Sequence, residues 1–329
     1  MMRKILLALL TAATPLMFSA NTSLAAEVLP TVTVAATPSI DMVLMIVAVE
    51  KGFLEREGLS AKLQMFDSSP GALHGVTAGL ADITNNTAPP QLAARARGAK
   101  IVQVMTAYLS GLNNGDVVNG KVIHNAQDFV GKTIGVQRGS GADYDLTKFL
   151  EFHKIPRDKI QIKYLDAPDQ IPALARGDIQ GFFSWEPFLT RATQIVPGAK
   201  IFSVSKDEGV IFASNVVMSE DMAKNHKPVA VKIVKGLIAA ADWIRANPEG
   251  AAEVSNNVLK APSLKELTEQ IKKYQWVGDF KRKVYENEVS VAQWGAKIGL
   301  FPAKDPAQLV KDMIYPEIIK EAAPHRTDF

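Results

Sequence analysis

With 329 residues, 37 lysines and arginines against 34 aspartates and glutamates, and no cysteine, the chain has a formal net charge of +3 and can form neither a disulfide nor a thiolate metal site. So even a balance carries no electrostatic footprint for nucleic acid, and no nucleic-acid partner is expected. A chain of this length exceeds what one hydrophobic core holds comfortably, which predicts two lobes.

Met1-Met2-Arg3-Lys4 runs directly into the apolar Ile5-Leu6-Leu7-Ala8-Leu9-Leu10, and Ser23-Leu24-Ala25 ends the segment with small residues at the positions a signal peptidase reads. Residues 1–25 are therefore expected to be a cleaved signal peptide, with Ala26 as the alternative last residue. The apolar run is well short of the roughly 20 residues that a bilayer demands. Without Arg3 and Lys4 the exported chain holds 35 basic and 34 acidic residues, a net charge of +1. Lacking the cysteine that would bear a lipid anchor, it is expected free in the periplasm of a double-membraned bacterium.

Thr31 to Ala36 reads as a buried strand closed by Thr37-Pro38-Ser39, and the dense apolar run from Met42 to Val49 as a helix ended by Gly52. Ala61 to Phe66 alternates as a strand does. Asp67-Ser68-Ser69-Pro70 caps a helix through Leu80, and a short strand, Asp82-Ile83-Thr84, follows. Asn85-Asn86-Thr87 with Pro89 repeats the turn and cap before a helix from Gln91 to Arg97, and Ile101 to Met105 is the next strand. This alternation of strand and helix points to a parallel, doubly wound α/β sheet.

Asn113-Asn114-Gly115-Asp116 marks a break, after which the rhythm restarts: strand Thr133 to Val136, helix Asp143 to His153, strand Gln161 to Leu165, helix Ile171 to Arg176 and strand Gly181 to Phe183. Val210 to Ala213 and Val216 to Met218 then lead into a helical tail from Pro228 to Ile319. With no floppy tether between the two blocks, the geometry is that of a hinge. Lobe one is expected to comprise residues 26–116 plus 210–329, and lobe two residues 117–209, joined by two strands.

The segment richest in chemistry is Arg138-Gly139-Ser140-Gly141-Ala142-Asp143. Ser140 and Asp143 have the spacing of a capping box, so Ser140 is the expected N-cap. The free N–H groups of that first helical turn, at the positive end of the helix dipole, suit an anion, and Arg138 is expected to add a charge-assisted contact. Arg138→Ala should then weaken anion binding without changing the ligand-free melting temperature. The plain alternative is that Ser140 only caps a helix and Arg138 is a solvated surface residue. Thr37 and Ser39, Ser68 and Ser69, and Asn85-Asn86-Thr87 stand where an open α/β sheet collects ligand contacts, though each is also an ordinary cap. Trp185, before Glu186-Pro187, is placed either to cover an apolar part of a ligand or to pack in the core.

Enzyme chemistry finds little support. His74, His124, His153, His226 and His325 show no metal-ligand spacing, and there is no nucleophile elbow, Walker loop or dinucleotide-binding glycine motif. No metal and no cofactor is expected.

Five segments in order carry a family resemblance: Ala48-Val49-Glu50-Lys51-Gly52-Phe53-Leu54-Glu55-Arg56-Glu57-Gly58-Leu59, Ala78 to Ile83, Asp128 to Val136 with Arg138-Gly139-Ser140, Ala173 to Ile179, and Phe183-Ser184-Trp185-Glu186-Pro187. The chain resembles the nitrate/sulfonate/taurine-type periplasmic solute-binding proteins, a group that includes the thiamine-pyrimidine precursor proteins. The resemblance implies a type II periplasmic-binding-protein fold whose cleft closes on its ligand. It implies a receptor, acting as a monomer, that delivers a small anionic solute to the ABC permease of the inner membrane. It also implies ligand contacts from Thr37, Ser39, Ser68, Ser69, Asn85, Asn86, Thr87, Arg138, Ser140, Gly141, Ala142, Asp143, Trp185 and Asn215. Many relatives have a histidine or apolar residue near Asp143, so this acid either meets a ligand amine or completes the capping box. An enzyme on the same fold, and a ligand-loaded partner of a membrane sensor, are the competing readings.

Overall fold

Four β-branched residues followed by two alanines make Thr31–Ala36 an interior strand, β1, and the following elements build a first sheet around it. The computed structural model describes residues 29–261 and 263–329; the expected signal peptide lies outside them. Helix α1 (Val43–Glu50) is buried from Val43 to Ala48 because it lies between the sheet and later helices, so its sequence is apolar on every side. Next come β2 (Ser60–Met65), α2 (Ser69–Thr77), β3 (Ile83–Thr87), α3 (Ala88–Ala96) and β4 (Ile101–Ser110). The chain then enters a second sheet with β5 (Asn114–Asn119), β6 (Thr133–Val136), α4 (Gly141–Phe152), β7 (Gln161–Tyr164), α5 (Ala167–Arg176), β8 (Gly181–Trp185), α6 (Phe188–Ile195) and β9 (Ala199–Val204). It returns through β10 (Phe212–Ser219), α7 (Glu220–Asn225), α8 (Lys227–Ala246), α9 (Pro248–Leu259), α10 (Leu264–Lys272), β11 (Gln275–Asp279), α11 (Arg282–Lys297), α12 (Pro306–Met313) and α13 (Glu317–Ala322).

The first sheet has the order β11-β4-β10-β3-β1-β2 and the second β7-β6-β8-β5-β9. β1, β2 and β3 are parallel, as are β6, β7 and β8, whereas β5 and β10 run antiparallel to their neighbours. The reversal follows from the crossing. A chain that leaves one sheet at its carboxyl edge enters the other at the carboxyl edge too, and must run against the strands already there. The crossings are short, from Ser110 to Asn114 and from Val204 to Phe212. These two α/β lobes with a two-strand hinge form a type II periplasmic-binding-protein fold. The largest apolar core packs α1 and α8 against the first sheet, and Phe129, Phe149 and Phe183 centre a smaller core in the second.

Four local expectations need correction. Asn85-Asn86-Thr87 is not a turn but the end of β3, because β10 pairs with it: Asn86 faces Asn215 and Asn85 faces Val216. The break expected at Asn113 to Asp116 opens a strand, since Asn114 to Val118 pairs with β8. The strand expected from Val210 begins at Phe212 and runs on through Val216 to Ser219, so the two apolar segments share one strand. The helical tail is interrupted by β11, which adds to the sheet by pairing Gln275 and Trp276 with Leu109 and Tyr108. Partners remote in sequence decide all four, and no local pattern carries them.

Candidate functional site

The carboxyl edges of β1 and β3 and the start of β10 form one wall of the groove between the sheets. The carboxyl edges of β6 and β8 and the start of β5 form the other. In an α/β fold this edge, where the chain direction switches, is where ligand contacts collect.

On the first wall, the hydroxyls of Thr37 and Ser39 lie 2.9 Å apart, and Ser39 Oγ donates to Asp41 Oδ1. Asn85 Nδ2 donates to the Asp41 carbonyl (3.0 Å) and to Ser214 Oγ (2.9 Å), fixing the turn against β10. Asn86 Nδ2 donates to the Ser69 carbonyl (3.3 Å), and Ser68 Oγ accepts from the Gly71 amide (3.2 Å) as the exposed N-cap of α2. Thr87 is the N-cap of α3 but makes no side-chain cap bond. Burial pushes the Asp41 carboxyl above its usual range although Ser39 opposes the shift, and Tyr108 and Tyr274 feel its charge.

On the second wall, Ser140 is the N-cap of α4: its Oγ accepts from the Asp143 amide (3.3 Å). Asp143 turns back, accepting from the Gly139 amide at Oδ2 (3.0 Å) and from Arg157 Nη2 at Oδ1 (3.3 Å). The acid is thus committed to its own turn and to Arg157. Gly139 has φ +71°, and a Cβ there would lie 2.5 Å from Leu300 Cδ1, so the turn needs glycine both for its backbone and for its fit beneath lobe one. Buried Gly141 and Ala142 follow, beside Phe212 and the Asn114 side chain. Among the described residues, no acceptor meets the Gly141 or Ala142 N–H. Arg138, expected to point at the ligand, is instead exposed, its guanidinium 5.5 Å from the centroid of the Tyr164 ring on the outer strand β7. The ring offers that cation a face, and the side chain follows it outward.

The lobes touch on both flanks. Lys273 Nζ lies 2.6 Å from Glu186 Oε1, and Gln270 Nε2 donates to Thr190 Oγ1 (3.2 Å); Glu186 also accepts from the Thr190 amide and hydroxyl at the start of α6. On the other side, Trp294 Nε1 donates to Thr147 Oγ1 (2.9 Å) and Tyr144 packs edge-on against Trp294 and Phe212. A recess of about 390 Å³ opens between α4 and α11, bordered by Lys148, Arg157 and Lys297, but it starts a turn or more beyond the free amides and flanks the interlobe contact.

Each lobe also buries acids. Glu288 accepts from Gln103 Nε2 (3.0 Å) and from Asn215 Nδ2, and burial pushes it up to about 8. In lobe two, Asp145 accepts from Ser205 Oγ (2.8 Å) and Asp116 from Ser203 Oγ (2.7 Å). Burial, added to by the Glu208 charge, lifts Asp145 to about 8 and Asp116 well above its usual range.

A family model described as NMT1/THI5 like matches residues 39–251. The chain belongs to the NMT1/THI5-like family. The taurine-binding periplasmic protein of Escherichia coli (strain K12) is 26% identical over 220 residues, 66% of this chain and 68% of that protein. The periplasmic aliphatic sulphonate binding protein SsuA from Escherichia coli superposes with a TM-score of 0.75 at 17% identity, over 87% of this chain and 92% of that one. The desulfurization enzyme DSZB gives a TM-score of 0.68 at 18% identity, over 90% and 99% of the two chains. At such identities the structures speak for the fold alone. The chain spans about two thirds of the length of the curated relatives it matches.

Within this NMT1/THI5-like fold, the residues brought to the groove are Thr37, Ser39 and Asn85 on one side and Ser140, Gly141 and Ala142 on the other. Half-buried Trp185 pairs with Asn114 across the strands and packs edge-on against Phe188, at the edge of the second core. Ser68 and Ser69 serve α2 and Asn86. Asn215 is fully buried, its amide bonded to Glu288 and Thr106 on the far side of β10 from Ser214. Sequence reasoning passed over Asp41, which joins Ser39 and Asn85 in the turn after β1. Asp41 left one visible signal: it is the only polar residue from Ile40 to Val49. An acid isolated in such a run calls for a reason.

Proposed function

We infer that this protein is the solute-binding receptor of an ABC importer for a small organic anion of the sulfonate, taurine or nitrate class. In this reading residues 1–25 are removed on export to the periplasm. The mature chain acts as a monomer, with residues 26–113 plus 210–329 as one lobe and 114–209 as the other, the expected boundary at 116 moving because β5 opens in the second sheet at Asn114, and both lobes dock on the inner-membrane permease. The solute favours the closed form because only there does it meet both walls. The observation that carries the reading is the pair of unpartnered N–H groups of Gly141 and Ala142. They lie at the start of a twelve-residue helix, against Phe212 of the opposite lobe. A desulfurization enzyme shares the fold, but a fold does not carry an activity, and binding without chemistry accounts for the groove.

The test is calorimetry and thermal shift of protein lacking residues 1–25 against ethanesulfonate, 2-aminoethanesulfonate, nitrate and benzoate. At least one is expected to bind and raise the melting temperature. Ala142→Pro removes an N–H that the helix does not use, in the first turn of α4, whose amides have no intrahelical partner. It should weaken binding by about tenfold or more, the loss of one charge-assisted hydrogen bond, with little change in the ligand-free protein. Unchanged affinity in this variant would place the anion elsewhere.

A further inference from the structure

The recess between α4 and α11 draws its lining from both lobes: Thr147, Leu150 and Arg157 from lobe two, Trp294, Lys297 and Ile298 from lobe one. Its volume of about 390 Å³ falls within the roughly 300 to 1,000 Å³ that small-molecule sites occupy, and such sites favour the seams between structural units. Buried Leu150, Ile155 and Trp294 supply apolar surface. Exposed Ser290, Gln293 and Lys297 add a polar stripe along α11, since residues three and four apart share one helical face.

The charges there suit an anion. Arg157 is held in place: Nη1 donates to Thr147 Oγ1 (3.2 Å) and Nη2 to Asp143 Oδ1 (3.3 Å), while Trp294 Nε1 fixes the same Thr147 hydroxyl (2.9 Å). A guanidinium held in this way still has its Nε hydrogen and the second hydrogen of each Nη to give. Glu151 answers Lys148 at 2.8 Å and Asp143 answers Arg157, whereas among the described residues no acid pairs with Lys297. That pairing leaves one uncompensated positive charge on the recess, beside a guanidinium with donors to spare. We propose that the recess is a second small-molecule site and that it takes an organic monoanion. Its carboxylate or sulfonate meets Lys297 and Arg157, and its ring or short chain lies against Leu150, Ile155 and Trp294. The site is independent of the anion-receptor reading, because none of residues 139–142 borders the recess. The competing account is a water-filled crevice in which Lys297 serves only the carboxyl end of α11.

The experiment titrates protein lacking residues 1–25 with matched probes: cyclohexanecarboxylate with cyclohexanecarboxamide, and benzoate with benzamide. The reporter is the indole N–H resonance of Trp294 in heteronuclear NMR spectra, assigned among the four tryptophans by its loss in Trp294→Phe. At least one carboxylate should shift that resonance saturably and bind about tenfold or more tighter than its amide. Lys297→Gln should weaken that binding by about fivefold or more, and Ser290→Phe, which fills the recess from an exposed position, should abolish it. Both variants should melt close to wild type, and Ala142→Pro should leave the titration unchanged. No saturable shift with either carboxylate overturns the site, as does an amide that binds as well as its acid. Affinity retained in both Lys297→Gln and Ser290→Phe overturns it too, whatever their melting temperatures. Binding lost in Ala142→Pro but kept in those two variants places the probe at the start of α4, which overturns the second site and leaves the anion receptor standing.

Discussion

The two walls of the groove use one device, a strand end leading into a helix start, and finish with opposite electrostatic character. On the first, the hydroxyls of Thr37 and Ser39 are spent on each other and on Asp41, and Asn85 is spent on the turn, so the wall presents an acceptor. On the second, Ser140 and Asp143 close the cap over only two amides, those of Asp143 and Gly139, so Gly141 and Ala142 present donors. A cap satisfies part of a helix's first turn, and the direction of its side chains decides which groups stay free. The buried acids differ in the same spirit. Glu288 in lobe one is held by two amide donors, whereas Asp145 and Asp116 in lobe two have serines and one another's company, with Glu208 near both.

The largest expected effect falls on the second wall. Gly139→Val combines a positive φ with a clash against Leu300, and should cost about 2 kcal/mol or more of ligand-free stability by chemical denaturation. An unchanged midpoint would mean that this turn is not pinned beneath lobe one. Ser140→Ala removes the cap of α4 and should cost about 1 kcal/mol, while Ser39→Ala, on a wall whose hydroxyls orient a carboxylate, should cost less. Equal losses would erase the contrast between the walls.

Glu288 sharpens the comparison of the buried acids. Folded, it keeps its proton up to about 8; unfolded, it releases it near 4.5. The folded state therefore binds the extra proton between those values, and stability falls as pH rises through that window and levels off above it. Glu288→Gln, which still accepts from Gln103 and Asn215, should flatten the part of the slope due to lobe one and leave that from Asp145. Melting temperatures from pH 4 to 9 read this directly, and an unaltered slope would locate all the proton linkage elsewhere. The smallest effect is expected for Arg138→Ala, about threefold or less in anion affinity, because the guanidinium lies over Tyr164. A tenfold loss would show that the side chain swings into the groove when solute arrives.

Much of this was legible in the chain itself. Alternation of apolar runs with Ser, Thr, Asp, Pro and Gly punctuation located β1, α1, β6 and α4, because caps and turns are local physics that needs no partner. Five motif segments in order named the family. The cap at Ser140 and Asp143 was legible to the residue, since side chains three apart at a helix start meet whatever the rest of the fold does. Asn215 shows the limit: its strand was visible, but which face of β10 its amide would take depends on register with β3 and β4.

The sequence by itself determined two α/β lobes and a capped helix start after β6, consequences of periodicity and neighbours within a few residues, and its motif segments carried the family resemblance. Only the tertiary structure decided that β5 and β10 run backwards, that Arg138 turns outward, and that Asn85 holds the turn at Asp41 against Ser214 of β10. Those outcomes depend on strands and side chains dozens to hundreds of residues apart being brought to the same edge, and burial and pairing there exist only once the chain has folded.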